Sequence, residues 1–471
     1  MIGMKHVHSF ADDCLGDLDA VGLAASIASG AISAAEAARA ALARIDAVEP
    51  RLSAVAVDDR ERALARAEAD DFTGVFAGVP SLIKNNTDFA GIPTLHGSAA
   101  VANVPARADE AVTRELVGTG LNILGASTMP AFGLTATTEF ADRPPTRNPW
   151  DTDYSCGASS GGAAALVAAG AVPIAHANDG GGSIRIPAAA CGLVGLKPTR
   201  GRVAQAKQMH GLPIDLVSNG VVTRSVRDTA HYYADLERQR EVASLPPIGL
   251  VEGPGRARLR VALINTPLTG RLLDDDTDRE LAATVELLES LGHRVESVPM
   301  PVDRSYIAQF TDYWALLAFG IDRMGGRSVG KGFDRSRLDP FTKGLSAAFL
   351  KHFYRLPASV MGLKRATARF RSAFEGYDVI LSPTLAHAVP EIGYLAPDGD
   401  FDEIFARLVD YVAFTPANNS SGTPAITLPL GRSANGLPLG MHFSADLGGE
   451  RTLLELAFEL EAARPFARIQ D

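Results

Sequence analysis

A serine preceded by three glycines, in Asp179-Gly180-Gly181-Gly182-Ser183-Ile184-Arg185, carries the clearest chemistry in this sequence. A serine hydroxyl is a poor nucleophile at neutral pH and needs a base. Glycines let several backbone N–H groups turn toward one point. The donors of the three glycines before Ser183 are therefore expected to receive an oxyanion. Losing one such donor typically raises a barrier by about 3 kcal/mol. Lys84, in Gly78-Val79-Pro80-Ser81-Leu82-Ile83-Lys84, is the candidate base. An exposed lysine is protonated at pH 7, but burial among residues such as Val79, Leu82 and Ile83 disfavours the charged form. A second Gly/Ser segment, Cys156-Gly157-Ala158-Ser159-Ser160-Gly161-Gly162, offers Ser159 as a relay between Ser183 and Lys84. Asp179 and Arg185 flank the nucleophile and are expected to pair, holding the loop as supports.

Taken singly, a Gly-Gly-Ser reads as a turn and the lysine as a surface or ion-pairing residue. Their joint occurrence, in this order, points to a serine hydrolase with lysine as base. Of the histidines, His96, His176 and His442 lie nearest the motifs, and a lone histidine reads as a packed or surface group. No His-Glu-x-x-His and no cysteine pair occurs, so neither a metal nor a cofactor is expected. Cys156 and Cys191 read as small buried residues. Lys197, in Lys-Pro-Thr, reads as framework. A nucleotide-binding module fails on spacing: neither loop fits Gly-x-Gly-x-x-Gly, and no Gly-Lys-Ser/Thr follows a strand.

These groups need a scaffold, and 471 residues suffice for one large domain or two ordinary ones. The 46% hydrophobic and 21% charged composition is that of a soluble globular protein. A net charge of -10 argues against a nucleic-acid backbone as partner. Three cysteines are too few for a disulfide framework, which implies a reducing compartment and a cytoplasmic location. Met1 to Asp12 has no apolar core and is not expected to be a secretory signal. The longest apolar run, Ala163 to Ala175, contains Pro173 and is too short to span a bilayer.

Ser33 opens a capping box before a helix with Ala37, Ala41, Leu42 and Ile45 on one face, expected to stop at Pro50. A second helix is expected over Asp58 to Ala69. Short apolar runs alternating with helix patterns over 75–200 suggest α/β layering. Strands are expected at 260–264, 294–298, 378–384 and 425–429, with helices at 277–292 and 452–461. The segment from Pro301 to about Gly376 reads as helical. Its aromatics Tyr306, Phe310, Tyr313, Trp314 and Phe319 are expected mainly to pack on the sheet, with one or two also facing a pocket. Ala396 to Glu403 reads as an acidic surface loop.

Four segments in order resemble the amidase signature family: Gly78-Val79-Pro80 with Ile83-Lys84; Ala158 to Gly162; Asp179 to Pro187; and Cys191-Gly192-Leu193-Val194-Gly195-Leu196-Lys197-Pro198-Thr199. The match extends to Thr146-Arg147-Asn148-Pro149-Trp150, Asn219 to Asp228, Asn419 to Ala425 and Gly436 to Gly440. It covers nearly the whole chain except roughly 300–375. The resemblance implies one α/β domain over 1–471, with a large mixed twisted sheet covered by helices on both faces. Within it, 1–75 would be N-terminal helices, 76–230 the signature core and 300–375 a variable helical segment lining the pocket.

The resemblance also implies a Ser–cis-Ser–Lys triad, with Ser183 as nucleophile, Ser159 in a cis peptide and Lys84 as base, and implies the backbone N–H groups of Gly180, Gly181, Gly182 and Ser183 as the oxyanion donors. The implied reaction is hydrolysis of a carboxamide C–N bond through an acyl-enzyme, with esters, carbamates or hydrazides as side substrates. Thr128, Met129, Tyr313 and Trp314 are the residues expected in the substrate pocket. Ala158, Asn85, Ala131, Asn178 and Gly180 depart from the family's common residues and leave the pocket's polarity, and so the substrate, undetermined. Asn178-Asp179-Gly180 is similar to the loop of cyclic amide oligomer hydrolases. A urethanase is another reading within the family, as is the A subunit of a tRNA-dependent amidotransferase. That subgroup usually carries glutamine where this chain has Ile186. The expected partner is a small-molecule amide, with no nucleic acid and no membrane; a homodimer stays open.

Overall fold

The computed structural model describes residues 6–470. The reading of Met1 to Asp12 as no signal falls in part on residues 1–5, outside the described residues. The scaffold is α/β, but it holds two sheets where one was expected. The larger has eight strands in the order Ile174–Asp179, Ser218–Thr223, Val194–Lys197, Ala425–Arg432, Pro438–Ser444, Val379–Pro383, Arg260–Leu263, Arg294–Ser297. It is antiparallel up to Val379–Pro383 and parallel over the last three strands. The smaller sheet has Asn122–Ser127 at its centre, antiparallel to Val55–Asp58 and parallel to Pro80–Lys84.

The two sheets meet edge to edge. Strand Pro80–Lys84 borders the small sheet and Ile174–Asp179 borders the large one. Edge strands carry main-chain groups that need partners when buried. Side chains supply them here: Ser81 Oγ donates to the Ile174 carbonyl at 2.9 Å, and the Lys84 N–H donates to His176 Nδ1 at 3.2 Å. This seam puts the end of one edge strand beside the end of the other.

Helices cover the sheets and bury their apolar faces in one large core and smaller satellite clusters. Helix Ala34–Leu52 starts with the expected capping box of Ser33 and Glu36. It does not stop at Pro50. A proline in the last turn forfeits only one intrahelical bond, and the chain leaves at Ser53 (φ 50), where Glu49 accepts the Ala54 N–H at 2.9 Å. Helix Gly161–Ala168, which overlaps the start of the longest apolar run, is buried at every residue. No described helix is long and apolar enough to cross a membrane.

The acidic segment expected to be a loop is partly helical. Asp400 caps helix Phe401–Tyr411 by accepting the Glu403 N–H at 3.0 Å, and Asp402 and Glu403 occupy its first turn. Negative charge is favoured at a helix N-terminus, so the acidity marks a helix start. The segment after Pro301 folds into three long helices, Ser305–Ser328, Pro340–His352 and Leu356–Ser372.

Candidate active site

Ser183 lies in the short loop between strand Ile174–Asp179 and helix Arg185–Cys191. Asp179 turns its carboxylate back under this loop. It accepts the N–H groups of Gly182 at 2.7 Å and Ile184 at 3.1 Å, and takes a two-pronged bond from Arg185, Nε and Nη2 each at 2.8 Å. Neither side chain is exposed. Burial alone would raise the Asp179 pKa; the adjacent Arg185 guanidinium reverses this and holds the carboxyl well below the usual carboxylate range. Arg185 also donates to the Thr415 carbonyl at 2.9 Å, Asn419 Oδ1 at 2.7 Å and His442 Nε2 at 3.0 Å. A guanidinium only donates, so His442 accepts at Nε2 and keeps its proton on Nδ1, toward Ser382. His442 thus supports the loop from behind.

Gly182 has a backbone φ of +135°, and a Cβ there would stand 2.4 Å from Thr415 Oγ1. Only glycine fits. Its N–H, expected to serve an oxyanion, is instead taken by Asp179, because the carboxylate folds beneath the loop. The N–H groups of Gly180, Gly181 and Ser183 have no protein acceptor among the described residues. Thr415 Oγ1 donates to the Gly181 carbonyl at 2.7 Å and fixes that peptide's orientation.

Lys84 ends its strand with no exposed surface. Its Nζ lies 2.7 Å from Ser159 Oγ and 2.7 Å from Asn178 Oδ1. Desolvation pushes its pKa from 10.5 down to about 7, against the opposing pull of the Asp179 charge. The Ala158–Ser159 peptide is cis. Gly133 approaches so closely that a Cβ there would lie 3.0 Å from Ser159 Oγ, at a φ of +69°.

Ser159, Ser183, Gly180 and Gly181 all face one cavity of about 490 Å³. Among the described residues, its lining contains no Asp, Glu, Lys or Arg. Three of the five aromatics singled out in the sequence, Tyr306, Phe310 and Trp314, reach it, more than expected. Their spacing of four places them on one helix face. Tyr313 is one residue out of step and does not line the cavity: its hydroxyl donates to the Ile214 carbonyl at 2.6 Å. Thr128 and Met129 do not line it either. Thr128 is buried against Thr146 at 2.7 Å, and Met129 is buried in the wall behind Gly133. Phe319 packs on Phe349 instead.

His96 faces the cavity, stacked on Phe132, and burial lowers its pKa to about 4, which makes it a weak base. Burial pushes the Cys156 thiol up to about 12, so its thiolate is suppressed. The contacts of Asn178 with Lys84, and of Asn86 with Asn178, were not foreseen. The one hint in the sequence was Asn178 as a departure from the family's common residues.

The family model for amidases matches residues 36–454. "Putative amidase AmiC" of Mycobacterium tuberculosis is 48% identical over 470 residues, covering 99% of this chain and 98% of that one. The 6-aminohexanoate-cyclic-dimer hydrolase of Paenarthrobacter ureafaciens is 33% identical over 475 residues, covering 95% of each. A solved structure of 6-aminohexanoate cyclic dimer hydrolase with substrate superimposes with a TM-score of 0.86 at 29% identity, over 97% of this chain and 99% of that one. The chain belongs to the amidase family. It is a hydrolase acting on carbon–nitrogen bonds, with the single α/β domain of that family.

Proposed function

We propose that Ser183, Ser159 and Lys84 hydrolyse an uncharged carboxamide through an acyl-enzyme. The carrying observation is the Lys84 amine, unexposed and 2.7 Å from Ser159 Oγ. Its pKa of about 7 leaves a large neutral fraction at physiological pH, as a base requires. Ser183 Oγ attacks the amide carbon while its proton passes to Ser159 Oγ and the proton of Ser159 passes to Lys84 Nζ. The carbonyl oxygen becomes an oxyanion received by the N–H groups of Gly180, Gly181 and Ser183. Collapse breaks the C–N bond; the leaving nitrogen takes a proton from Ser159, which is resupplied from Lys84. Water then attacks the ester on Ser183, giving a carboxylate and restoring the three groups.

The cavity favours a neutral substrate with apolar bulk, since a charge placed there would find no ionic partner. Short cyclic or linear aliphatic amides and anilides fit that description, and the likeness to cyclic-dimer hydrolases supports the cyclic class. Ile186, in place of the amidotransferase glutamine, supports water as the acceptor. The three free cysteines support a cytoplasmic setting, and the net charge supports a small molecule as partner over nucleic acid. The test is a panel of anilides, esters, carbamates, aliphatic amides and the 6-aminohexanoate cyclic dimer, with intact mass measured during turnover. Amide turnover with an acyl adduct on Ser183 is expected; no turnover and no adduct across the panel would overturn the reading.

A further inference from the structure

A neutral primary amine has two hydrogens and one lone pair, and the lone pair must face the hydroxyl it is to deprotonate. Around Lys84 Nζ stand three oxygens: Ser159 Oγ at 2.7 Å, Asn178 Oδ1 at 2.7 Å and the Asn178 carbonyl at 3.4 Å. Both Asn178 oxygens only accept. They take up the two hydrogens of the neutral amine, so its remaining direction points at Ser159. After proton transfer the same direction carries the third N–H, aimed back at the relay. Asn178 is itself fixed, since its Nδ2 donates to Asn86 Oδ1 at 3.0 Å. An amide turned the other way would present N–H to N–H against the lysine.

We propose that Asn178, locked by Asn86, is a positioning residue that occupies two valences of Lys84 and directs the third at Ser159. This rests on Lys84 acting as the base. The charged and titratable groups facing Lys84 are Asp179, backed by Arg185, and the imidazole of His176 beneath its backbone N–H. Ser159 and Ser160 bring only hydroxyls. Asn178 is therefore the polar neighbour whose replacement can change the charge at the amine without breaking the Asp179–Arg185 pair.

The probe is a fluorophosphonate, whose phosphorus bonds to Ser183 Oγ as fluoride leaves and the serine proton passes through the relay to Lys84. Its labelling rate is followed by intact mass from pH 5 to 10. The unaltered protein should show an acidic limb near pH 7. Asn178→Asp places an anion beside Nζ and should move that limb up by about one pH unit or more. Asn178→Ala removes an acceptor of the ammonium, so the limb should move down and the plateau rate fall about tenfold. Asn86→Leu frees the amide and should lower the plateau with a smaller downward shift; it also serves if an Asn178 variant fails to fold. Limbs unmoved in the folded Asn178 and Asn86 variants, with Lys84→Ala inert, would overturn this inference alone. Labelling of Lys84→Ala at the unaltered rate would overturn the base assignment, and the inference with it.

Discussion

Lys84 and Ser159 meet at 2.7 Å, 75 residues apart in sequence and carried by different elements. Lys84 ends an edge strand of the three-stranded sheet, and Ser159 precedes the buried helix Gly161–Ala168. The seam between the sheets, where Ser81 and the Lys84 N–H engage strand Ile174–Asp179, fixes Lys84 beside that strand, and Ser160 Oγ, donating to the Asn178 carbonyl at 3.3 Å, ties the Ser159 segment to the same strand. The same strand leads into the loop that carries Ser183. One strand end therefore locates both the base and the nucleophile.

Removing the Ser183 hydroxyl should abolish acyl transfer. Ser183→Ala is expected to lower kcat by at least about 10³-fold, since residual binding and oxyanion contacts survive loss of a nucleophile. Its thermal unfolding should match the parent, because the Ser183 side chain faces the cavity. Steady-state kinetics with calorimetry check this, and retained turnover would refute the nucleophile.

Lys84 should impose an acidic limb on kcat/KM. Its folded pKa is depressed from 10.5 to about 7, so the neutral, active amine accumulates as pH rises through 7. A profile flat from pH 5 to 9 would contradict the base. Linkage gives a second sign: between about pH 7 and 10.5 the unfolded chain holds a proton that the folded chain has lost. Stability from this group therefore rises with pH across that window, and its cost is full below pH 7. Lys84→Met should lose at least about 10³-fold in activity, yet unfold at a temperature no lower than the parent at pH 6.

Arg185 should matter to stability and rate together. Arg185→Ala leaves the Asp179 carboxylate buried without its charge partner, which costs about 3–5 kcal/mol. The loop holding Ser183 loosens with it. Arg185→Lys should not restore the parent, because an ammonium cannot reproduce the two-pronged bond to Asp179 and the further contacts to Thr415, Asn419 and His442. Chemical denaturation and kcat on the same samples provide the check.

Phe310 should govern how tightly apolar substrates bind. A Cβ on Gly181 would lie 3.7 Å from its ring, so the ring borders the nucleophile loop. Phe310→Ala removes an apolar wall worth about 1.5–3 kcal/mol. For compact amides KM should rise about 10–100-fold with little change in kcat, and bulkier acyl groups should lose less. Equal losses across acyl sizes would exclude Phe310 from the pocket.

The parts of the architecture set by local rules were readable in advance. The capping box at Ser33, the helix at Asp275–Ser290 and the strand at Val379–Pro383 follow from neighbouring residues. Errors arose where a particular hydrogen-bond partner or a single step of helical rotation overrode what the residue type suggested. Pro50 looked like a stop, but the helix end is completed by Glu49 and Ser53. Tyr313 looked equivalent to Trp314, but one residue of helical rotation sends it to Ile214. Gly182 looked like an oxyanion donor, but Asp179 takes its N–H from beneath. The second sheet was hidden because its seam is made by side chains of Ser81 and His176, far apart in the chain.

What the sequence determined alone was the cast: a serine in a glycine loop, a second serine and a lysine in an apolar run. Such loops and runs express backbone and burial needs that neighbouring residues dictate. Only the tertiary structure decided which of these groups touch, how the amine is oriented, and that no Asp, Glu, Lys or Arg among the described residues lines the cavity before them. Those properties depend on dielectric surroundings and on hydrogen-bond partners brought together from 75, 94 and 230 residues away.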